Sequence, residues 1–341
     1  MELYAPSYYK SFKCVGGDCE RSCCIAWEID IDKKTLEGYR AGKGEIYDRI
    51  RASVTDGGGE AHFRLLEGNR CPHLNRDGLC DIIIALGEGA LCHICREHPR
   101  YYNPLSGSVE VGVGLACPEA ARLILHSDYD FSVEKVGGDI PDGIFPIEDA
   151  EALEWIYKEL FEYISSMLRG GESVEKILSA LIHLGLWADD AQCYSCSPDS
   201  PKNNFTLLPL DTLIKDYISI IGESFPSLEA LDDSLIPRIL EAAVNIGNAP
   251  DALFRTLTGD GKLDFFRLLF YFTHRYLAPS IYDARWAERL LLSATLSLSL
   301  YFLSFSEGIP LTEAAVDFSA SIEYSSENIE GLLDYISDRF S

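Results

Sequence analysis

Nine of the chain's eleven cysteines fall within its first 117 residues, and that crowding limits what this part of the chain can become. They are Cys14, Cys19, Cys23, Cys24, Cys71, Cys80, Cys92, Cys95 and Cys117. Cys193 and Cys196 form a separate CxxC, and the 145 residues beyond it carry none. Disulfides require an oxidising compartment. The opening MELYAPSYYK lacks the basic region and apolar run of a secretory leader, so a cytoplasmic protein is expected. The count is odd, and the adjacent Cys23 and Cys24 cannot bridge each other without strain. Metal ligation fits the pattern better, because thiolates a few residues apart can converge on one soft centre.

The spacing favours a metal more clearly than it identifies one. Structural zinc usually takes two CxxC-like knuckles, whereas the first cluster reads C-x4-C-x3-C-C. An adjacent pair serves two centres, or two irons of one cluster, more easily than one tetrahedral ion. The C-x2-C-x2-C run of ferredoxins is absent, as is the C-x3-C-x2-C loop of radical S-adenosylmethionine enzymes. His73, His93 and His98 lie among the cysteines and are alternative ligands.

The rest of the composition narrows the class. Hydrophobic residues make up 47% and charged residues 24%, an ordinary globular balance. The formal net charge of −25 argues against nucleic-acid binding through a broad basic surface. The most apolar segment, Leu290 to Phe305, is shorter than the ~20 residues of a spanning helix and is interrupted by serines. It is read as a buried core helix, with no membrane insertion.

Along the chain, an aromatic strand-like opening precedes the first cysteine cluster. Ile25, Trp27, Ile29 and Ile31 alternate with period two and predict a short strand. A charged helix is expected within 41–70, followed by a loop at Gly57–Gly59. Asp77-Gly78 predicts a hairpin turn that places Cys71 and Cys80 on neighbouring strands. VEVGVGLACPEAARLIL reads strand, turn, helix, with Pro118 in the first helical turn and Cys117 at or beside the N-cap. Its Glu110, Gly112 and Gly114 mimic a nucleotide-binding glycine loop, but no third glycine and no run of βαβ units follow. Glycines and prolines crowd 137–146 and suggest a boundary. Beyond it, Leu153, Ile156, Tyr157, Leu160, Phe161, Ile164 and Leu168 keep a helical period that Gly170-Gly171 stops. Further helices are expected near 174–182, 205–222, 229–247, 262–277, 281–305 and 311–339. The expected fold is α+β, mainly α: a cysteine-rich metal-binding domain over 1–136, then an irregular helical domain over 147–341.

Four blocks, FKCVGGDCERSCCIAWEIDID, CPHLNRDGLC, CREHPR and CPEAARLIL, together resemble the flagellin lysine-N-methylase family. The cysteine-rich half is similar to the broader zinc- or iron-chelating CxxCxxCC-type proteins. The resemblance covers residues 1–125 and continues at FSASIEYSSENI, 318–329, where Tyr324 replaces the family's histidine. It implies methyl transfer from S-adenosylmethionine to lysines of flagellin, or of another lysine-bearing protein. It also implies a cysteine-bound [4Fe–4S] cluster, with zinc as the alternative. The matching cysteines are Cys14, Cys19, Cys23, Cys24, Cys71, Cys80, Cys95 and Cys117; Cys92, Cys193 and Cys196 fall outside the motif and are read as packing thiols.

The chemistry itself sets further demands. A lysine protonated at neutral pH cannot attack a sulfonium, so a methylase must bind it neutral or remove its proton. Glu323, Tyr324 and Glu119 are candidate proton acceptors, each equally readable as a surface or capping residue. Arg96 and Arg100 flank Cys95 and either balance a cluster's charge, hold a cofactor carboxylate, or form structural ion pairs. Trp27, Asp30 and Asp32 are assigned to folding. A non-enzymatic metal scaffold and an electron-transfer protein remain the alternatives.

Overall fold

The computed structural model describes residues 2–25, 27–55, 61–145, 151–193 and 205–340. The chain is α+β and mainly α, as expected. Among the described residues, one sheet has more than two strands, and it is built near the N-terminus. Strand β1 (Glu2–Pro6) runs parallel to β5 (Ser108–Val113) and antiparallel to β6 (Val133–Val136), and β4 (Arg100–Pro104) forms a hairpin with β5. The order is β4-β5-β1-β6. Alternation along β5 sends Val109 and Val111 to one face, where they pack with Leu3, Ala5 and Val136. Glu110 points the other way, toward the helices, where Tyr157 donates to it.

Between β1 and β4 lies a cysteine-rich lobe of short elements. Helix α1 (Lys33–Ala41) starts because the Asp32 carboxylate accepts the Thr35 N–H at 2.9 Å. Helix α2 (Glu45–Ser53) follows, then the two-residue strands β2 (Val54–Thr55) and β3 (His62–Phe63), then α3 (Asp81–Leu86) and α4 (His93–Glu97). The charged helix expected within 41–70 is therefore α2, and Gly57–Gly59 lie outside the described residues.

Two local expectations are corrected. Among its described residues, the Ile25–Ile31 stretch forms isolated bridges, Ile25 with Arg70 and Asp30 with His62, and no continuous strand. Period two marks a half-buried face, here Ile29 and Ile31, but a strand also needs a partner running beside it. The Asp77-Gly78 turn does form, closed by Asn75 Oδ1 accepting from the Asp77 and Leu79 N–H groups. It pairs Leu74 with Cys80 by one bridge, after which DIIIAL winds into α3 with Cys80 as its N-cap. Cys71 and Cys80 are thus drawn together by a turn and a helix start, not by neighbouring strands.

The strand, turn and helix around Cys117 appear as β5 and α5 (Pro118–His126), with Cys117 as the N-cap residue. From α6 (Glu151–Arg169) onward the described chain is helical: α7 (Val174–Cys193), α8 (Leu210–Ser224), α9 (Leu235–Asn248), α10 (Pro250–Thr258), α11 (Lys262–Tyr276), α12 (Ser280–Asp283), α13 (Trp286–Glu307), α14 (Leu311–Phe318) and α15 (Ser326–Phe340). Helix α13 is the axis, packed by α7, α9, α11, α14 and α15. Among the described helices it is long and apolar enough to cross a membrane, yet it is largely buried inside the protein. The serines that interrupt it are buried without cost, because Ser293, Thr295, Ser297 and Ser299 each donate to the carbonyl four residues back.

Three apolar cores result. The largest runs from Tyr8, Leu115 and Ile124 through the helices to Ile336, drawing on both sides of the 137–146 stretch. A small one inside the cysteine-rich lobe gathers Ile29, Ile31, Tyr39, Ile50, Phe63 and Ile82. The third covers one face of the sheet. A single π-helical turn, Ser319–Glu323, joins α14 to α15 and delivers Glu323 into the interior.

Candidate metal centre

The described cysteines are all free thiols. Cys71 and Cys92 are buried in the small core, and Cys24, Cys80 and Cys95 pack against it. The Cys71 N–H donates to the Cys24 carbonyl at 2.8 Å, which stitches the first cysteine cluster to the second. Cys92 sits at the N-cap of α4 beside Cys95. Contact with Cys92, then burial, pushes the Cys95 thiol up, while Cys92 itself is drawn down by Cys95. The Cys24 thiol is drawn down, because the thiols of Cys23 and then Cys71 donate to it. Cys92 therefore stands among the thiols, outside the motif though it is.

Cys14 and Cys23 are exposed, and Cys19 is partly so. Their loop is held at two points. Gly17 packs so tightly on the 77–79 turn that a Cβ there would lie 2.7 Å from the Asp77 carbonyl oxygen. On its other side Arg21 pairs with Asp317 of α14. Helix α14 packs on α5, whose N-cap is Cys117. Burial raises the Cys117 thiol, partly offset by the N–H groups of Ala120 and Glu119 at the helix start.

Behind Cys117 lies a buried network of charges and phenols. The Leu115 N–H donates to the Tyr271 hydroxyl at 3.2 Å, and that hydroxyl donates to Glu323 Oε1 at 2.6 Å. Ser319 donates to the same oxygen at 2.5 Å, and Arg275 Nη1 lies 3.3 Å from it. Glu323 Oε2 is buried with no hydrogen-bond partner. The Arg275 guanidinium lies between rings, 4.8 Å from the Tyr101 centroid and 5.1 Å from that of Tyr324. Burial pulls Arg275 down, but Glu323 and the surrounding tyrosines outweigh it and keep the group charged.

Gly114 lets this network approach the backbone. A Cβ there would lie 2.6 Å from the Tyr324 hydroxyl and 2.9 Å from Arg275 Nη1. Tyr324 in turn packs edge-on against Trp27 at 5.0 Å and leans on His98 at 6.0 Å. Burial pushes the Tyr324 hydroxyl up and holds His98 down at about 4, so phenol and imidazole are both neutral at pH 7.

A second buried chain lies deeper. Tyr157 donates to Glu110, whose Oε2 is 3.4 Å from His274 Nε2, and His274 Nδ1 shares a 2.8 Å bond with the Tyr101 hydroxyl. Burial raises Glu110 to about 7 and depresses His274 to about 3.

The structure brings Glu323 and Tyr324 to one place, at the backbone of Gly114 and Leu115 just before Cys117, and sets the other candidates apart. Glu119 faces outward and uses both oxygens on Arg122, at 2.6 and 2.9 Å. Arg96 and Arg100 line a groove of about 440 Å³ with Tyr9, Tyr102 and Asp139. There Arg100 donates to the Tyr9 hydroxyl at 3.0 Å and Arg96 pairs with Glu97. A larger groove of about 890 Å³ on the lobe is lined by Asp32, Tyr39, His93 and Arg96, away from Glu323. His73 is buried against Phe63 and bonded to Ser53 at 2.9 Å; its ring is held at about 4 by burial. His93 gives its backbone N–H to Asp32. Cys196 and the Cys193 side chain lie outside the described residues. Sequence reasoning missed Arg275 and Tyr271. The available signal was Arg275 at the end of an aromatic-rich stretch, FFRLLFYFTHRY, whose other cation is Arg267.

Comparison with known proteins bears on this site. No family model matches the chain, and no solved structure does. A curated lysine-N-methylase of Salmonella typhimurium is 33% identical over 135 residues, 36% of this chain and 32% of the relative; its counterpart in Salmonella choleraesuis matches equally. The flagellar biosynthetic protein FliU of Salmonella muenchen is 34% identical over 131 residues, which cover 75% of that protein. This chain belongs to the flagellin lysine-N-methylase family. The match spans about a third of the length of the lysine-N-methylases themselves. Family membership thus agrees with the resemblance carried by the cysteine blocks.

Proposed function

We propose that this protein transfers a methyl group from S-adenosylmethionine to lysine side chains of a protein substrate, flagellin foremost, and that its cysteines hold an iron–sulfur cluster. The observation that carries the reading is the position of Glu323. It is a buried carboxylate with one unpartnered oxygen, linked through the Tyr271 hydroxyl to the Leu115 backbone, in a chain related to lysine-N-methylases.

The donor set suits the cluster. Eight motif thiols stand free of disulfides, four of them gathered around one small core, and soft thiolates are the donors iron–sulfur clusters take. S-adenosylmethionine supplies an electrophilic methyl on a sulfonium. Arg96 and Arg100 would hold its carboxylate, in a groove whose volume lies within the ~300–1,000 Å³ of small-molecule sites. Arg100 is two residues from His98, which packs at Tyr324, so the groove and the carboxylate are joined by a short piece of chain.

The chain's own residues handle the lysine. Glu323 Oε1 is saturated by Tyr271, Ser319 and Arg275, which fixes the carboxylate and leaves Oε2 to receive an ammonium proton. Tyr324 keeps its own proton at neutral pH, so its part is to present a ring face and a hydroxyl to the incoming amine. Trp27 and His98 fix the Tyr324 ring and exclude water. The acidic surface, −25 overall, favours a lysine-bearing partner.

The test is methyl transfer to purified flagellin by protein prepared without oxygen, read by mass spectrometry of its lysines. Glu323→Gln should slow transfer at least tenfold with metal content unchanged. Metal-loaded protein that neither binds S-adenosylmethionine nor methylates flagellin would sink the reading.

A further inference from the structure

We propose that Tyr101 is the positioning residue that keeps the Arg275 guanidinium on Glu323: its ring lies against the guanidinium, His274 holds its hydroxyl, and Gly112 makes room for the ring. The inference rests on the role given to Glu323 above and adds what aims its arginine.

Glu110, Gly112 and Gly114 alternate along β5 and the residue just beyond it. Alternate positions of an extended chain share a face. All three serve one cluster on α11. Glu110 Oε2 lies 3.4 Å from His274 Nε2. Gly112 stands opposite Tyr101 in the β4–β5 pairing. The ring covers it so closely that a Cβ at Gly112 would lie 2.7 Å from Tyr101 Cε1 and nearer still to the hydroxyl. Gly114 leaves space for Arg275 Nη1 and the Tyr324 hydroxyl. The Glu-x-Gly-x-Gly pattern that mimics a nucleotide loop in sequence is thus filled by the protein's own side chains.

Tyr101 touches two successive residues of α11. Its hydroxyl shares a 2.8 Å bond with His274 Nδ1, and its ring centroid lies 4.8 Å from the Arg275 guanidinium carbon. His274 is itself tied to β4, because Asn103 Nδ2 donates to its carbonyl at 2.6 Å. Burial keeps its ring neutral at pH 7, so it does not repel the guanidinium next to it.

Arg275 needs such a hold. Its side chain keeps 13% exposure, whereas that of Glu323 has none. A long cation with a way out to water loses rotamer freedom by staying in. Its bonds inside both run through Nη1, at 3.1 Å to the Tyr271 hydroxyl and 3.3 Å to Glu323 Oε1. Tyr324 follows Glu323 in the chain and cannot fix the arginine independently of it. Tyr101 comes from the sheet and can. Without the Tyr101 ring, the guanidinium would turn to solvent and leave a buried carboxylate without its cation.

Two readouts on the full-length protein, purified without oxygen, test this. Phenylglyoxal modifies accessible guanidinium groups, and peptide mass spectrometry gives its rate at Arg275 beside that at the exposed Arg76. Methyl transfer to flagellin gives kcat and KM. In the wild type, Arg275 should react roughly tenfold more slowly than Arg76, or slower. Tyr101→Leu should bring the two rates together and lower kcat roughly tenfold or more, with KM for flagellin within about twofold and the circular dichroism spectrum unchanged. Tyr101→Phe keeps the ring and should restore the protection of Arg275 and most of kcat. Gly112→Ala, whose methyl group displaces the ring, should reproduce Tyr101→Leu, and it decides the matter if Tyr101→Leu does not fold. An Arg275 that reacts as fast as Arg76 in the wild type, or stays protected in Tyr101→Leu, would overturn the inference. So would a Tyr101→Phe as impaired as Tyr101→Leu, or a freed Arg275 with kcat unchanged. Wild type that methylates nothing while Tyr101→Leu still frees Arg275 would remove the methylase reading and leave Tyr101 as the residue that holds the arginine on Glu323.

Discussion

The cysteine-rich lobe buries ten apolar side chains in its core, two of them cysteines, whereas α13 alone buries a continuous run from Arg289 to Leu303. The lobe's helices are short, and two of its strands have two residues each. A core that small rarely supplies enough burial to offset chain entropy, so such folds lean on cross-links or metals. The helical half needs neither, because its apolar faces close on one another around α13. With the proposed metal in the lobe, the two regions would draw their stability from different sources, and they should fail separately.

Metal withdrawal gives the largest expected effect. Chelation or oxidative loss of metal should abolish hydrogen-exchange protection across α1–α4 while α13 stays protected. Loss of protection in α13 during the same transition would show that the two regions are one cooperative unit. The converse perturbation is Leu298→Ala in α13, a fully buried site. It should cost roughly 3–5 kcal/mol in denaturant unfolding of the helical half. Metal content should be unaffected, and a fall in bound metal would break the comparison from the other side.

The boundary between the regions carries a smaller, pH-dependent term. Burial holds Glu110 at about 7, above the ordinary 4.5. A carboxyl raised in this way contributes stability that is fully present below about 4.5 and is lost as pH rises to about 7. Depressed His274 has the opposite slope, losing stability as pH falls from about 6.5 to 3, so the two oppose each other through the shared window. Glu110→Gln removes the first slope and keeps the second. Relative to wild type, the variant should lose stability on acidification from pH 7 to 4.5, by up to ~3 kcal/mol. Denaturation midpoints at several pH values give the difference curve, and a flat one would show that Glu110 is not held neutral.

How much of this was readable in advance follows the same division. Helix α6 was legible because its apolar residues keep a 3.6 period; α13 was legible as a core helix from the serines in its apolar run, although the helix is longer than that run and long enough to span a membrane. The N-cap at Cys117 was legible from Pro118 and Glu119. Within the lobe, period two at Ile25–Ile31 and the strands expected from the Asp77-Gly78 hairpin misled, because elements this short take their form from their neighbours, not from pattern. Glu323 and Tyr324 could be named, but their meeting with Arg275, Tyr271 and Gly114 could not. Those residues are far apart in sequence, and only the π-helical turn and the packing of α11 place them together.

The smallest expected effect tests the joint itself. Arg21 on the cysteine loop pairs with Asp317 of α14 across the two regions, and both side chains are partly exposed at 50% and 28%. An ion pair this open contributes under about 1 kcal/mol to global stability, so Asp317→Asn should leave the unfolding midpoint of α13 nearly unmoved. Arg238 with Glu307 is a suitable control, a bidentate surface pair at 2.8 and 2.6 Å that lies wholly within the helical half. Arg238→Ala should be equally mild and should not touch the metal. Asp317→Asn differs because the loop it anchors carries three thiols. Loosening that loop should speed the release of metal to a chelator severalfold at unchanged global stability. Equal release rates in the two variants would mean that the cysteine loop is held by its thiols and by the 77–79 turn, with no help from α14.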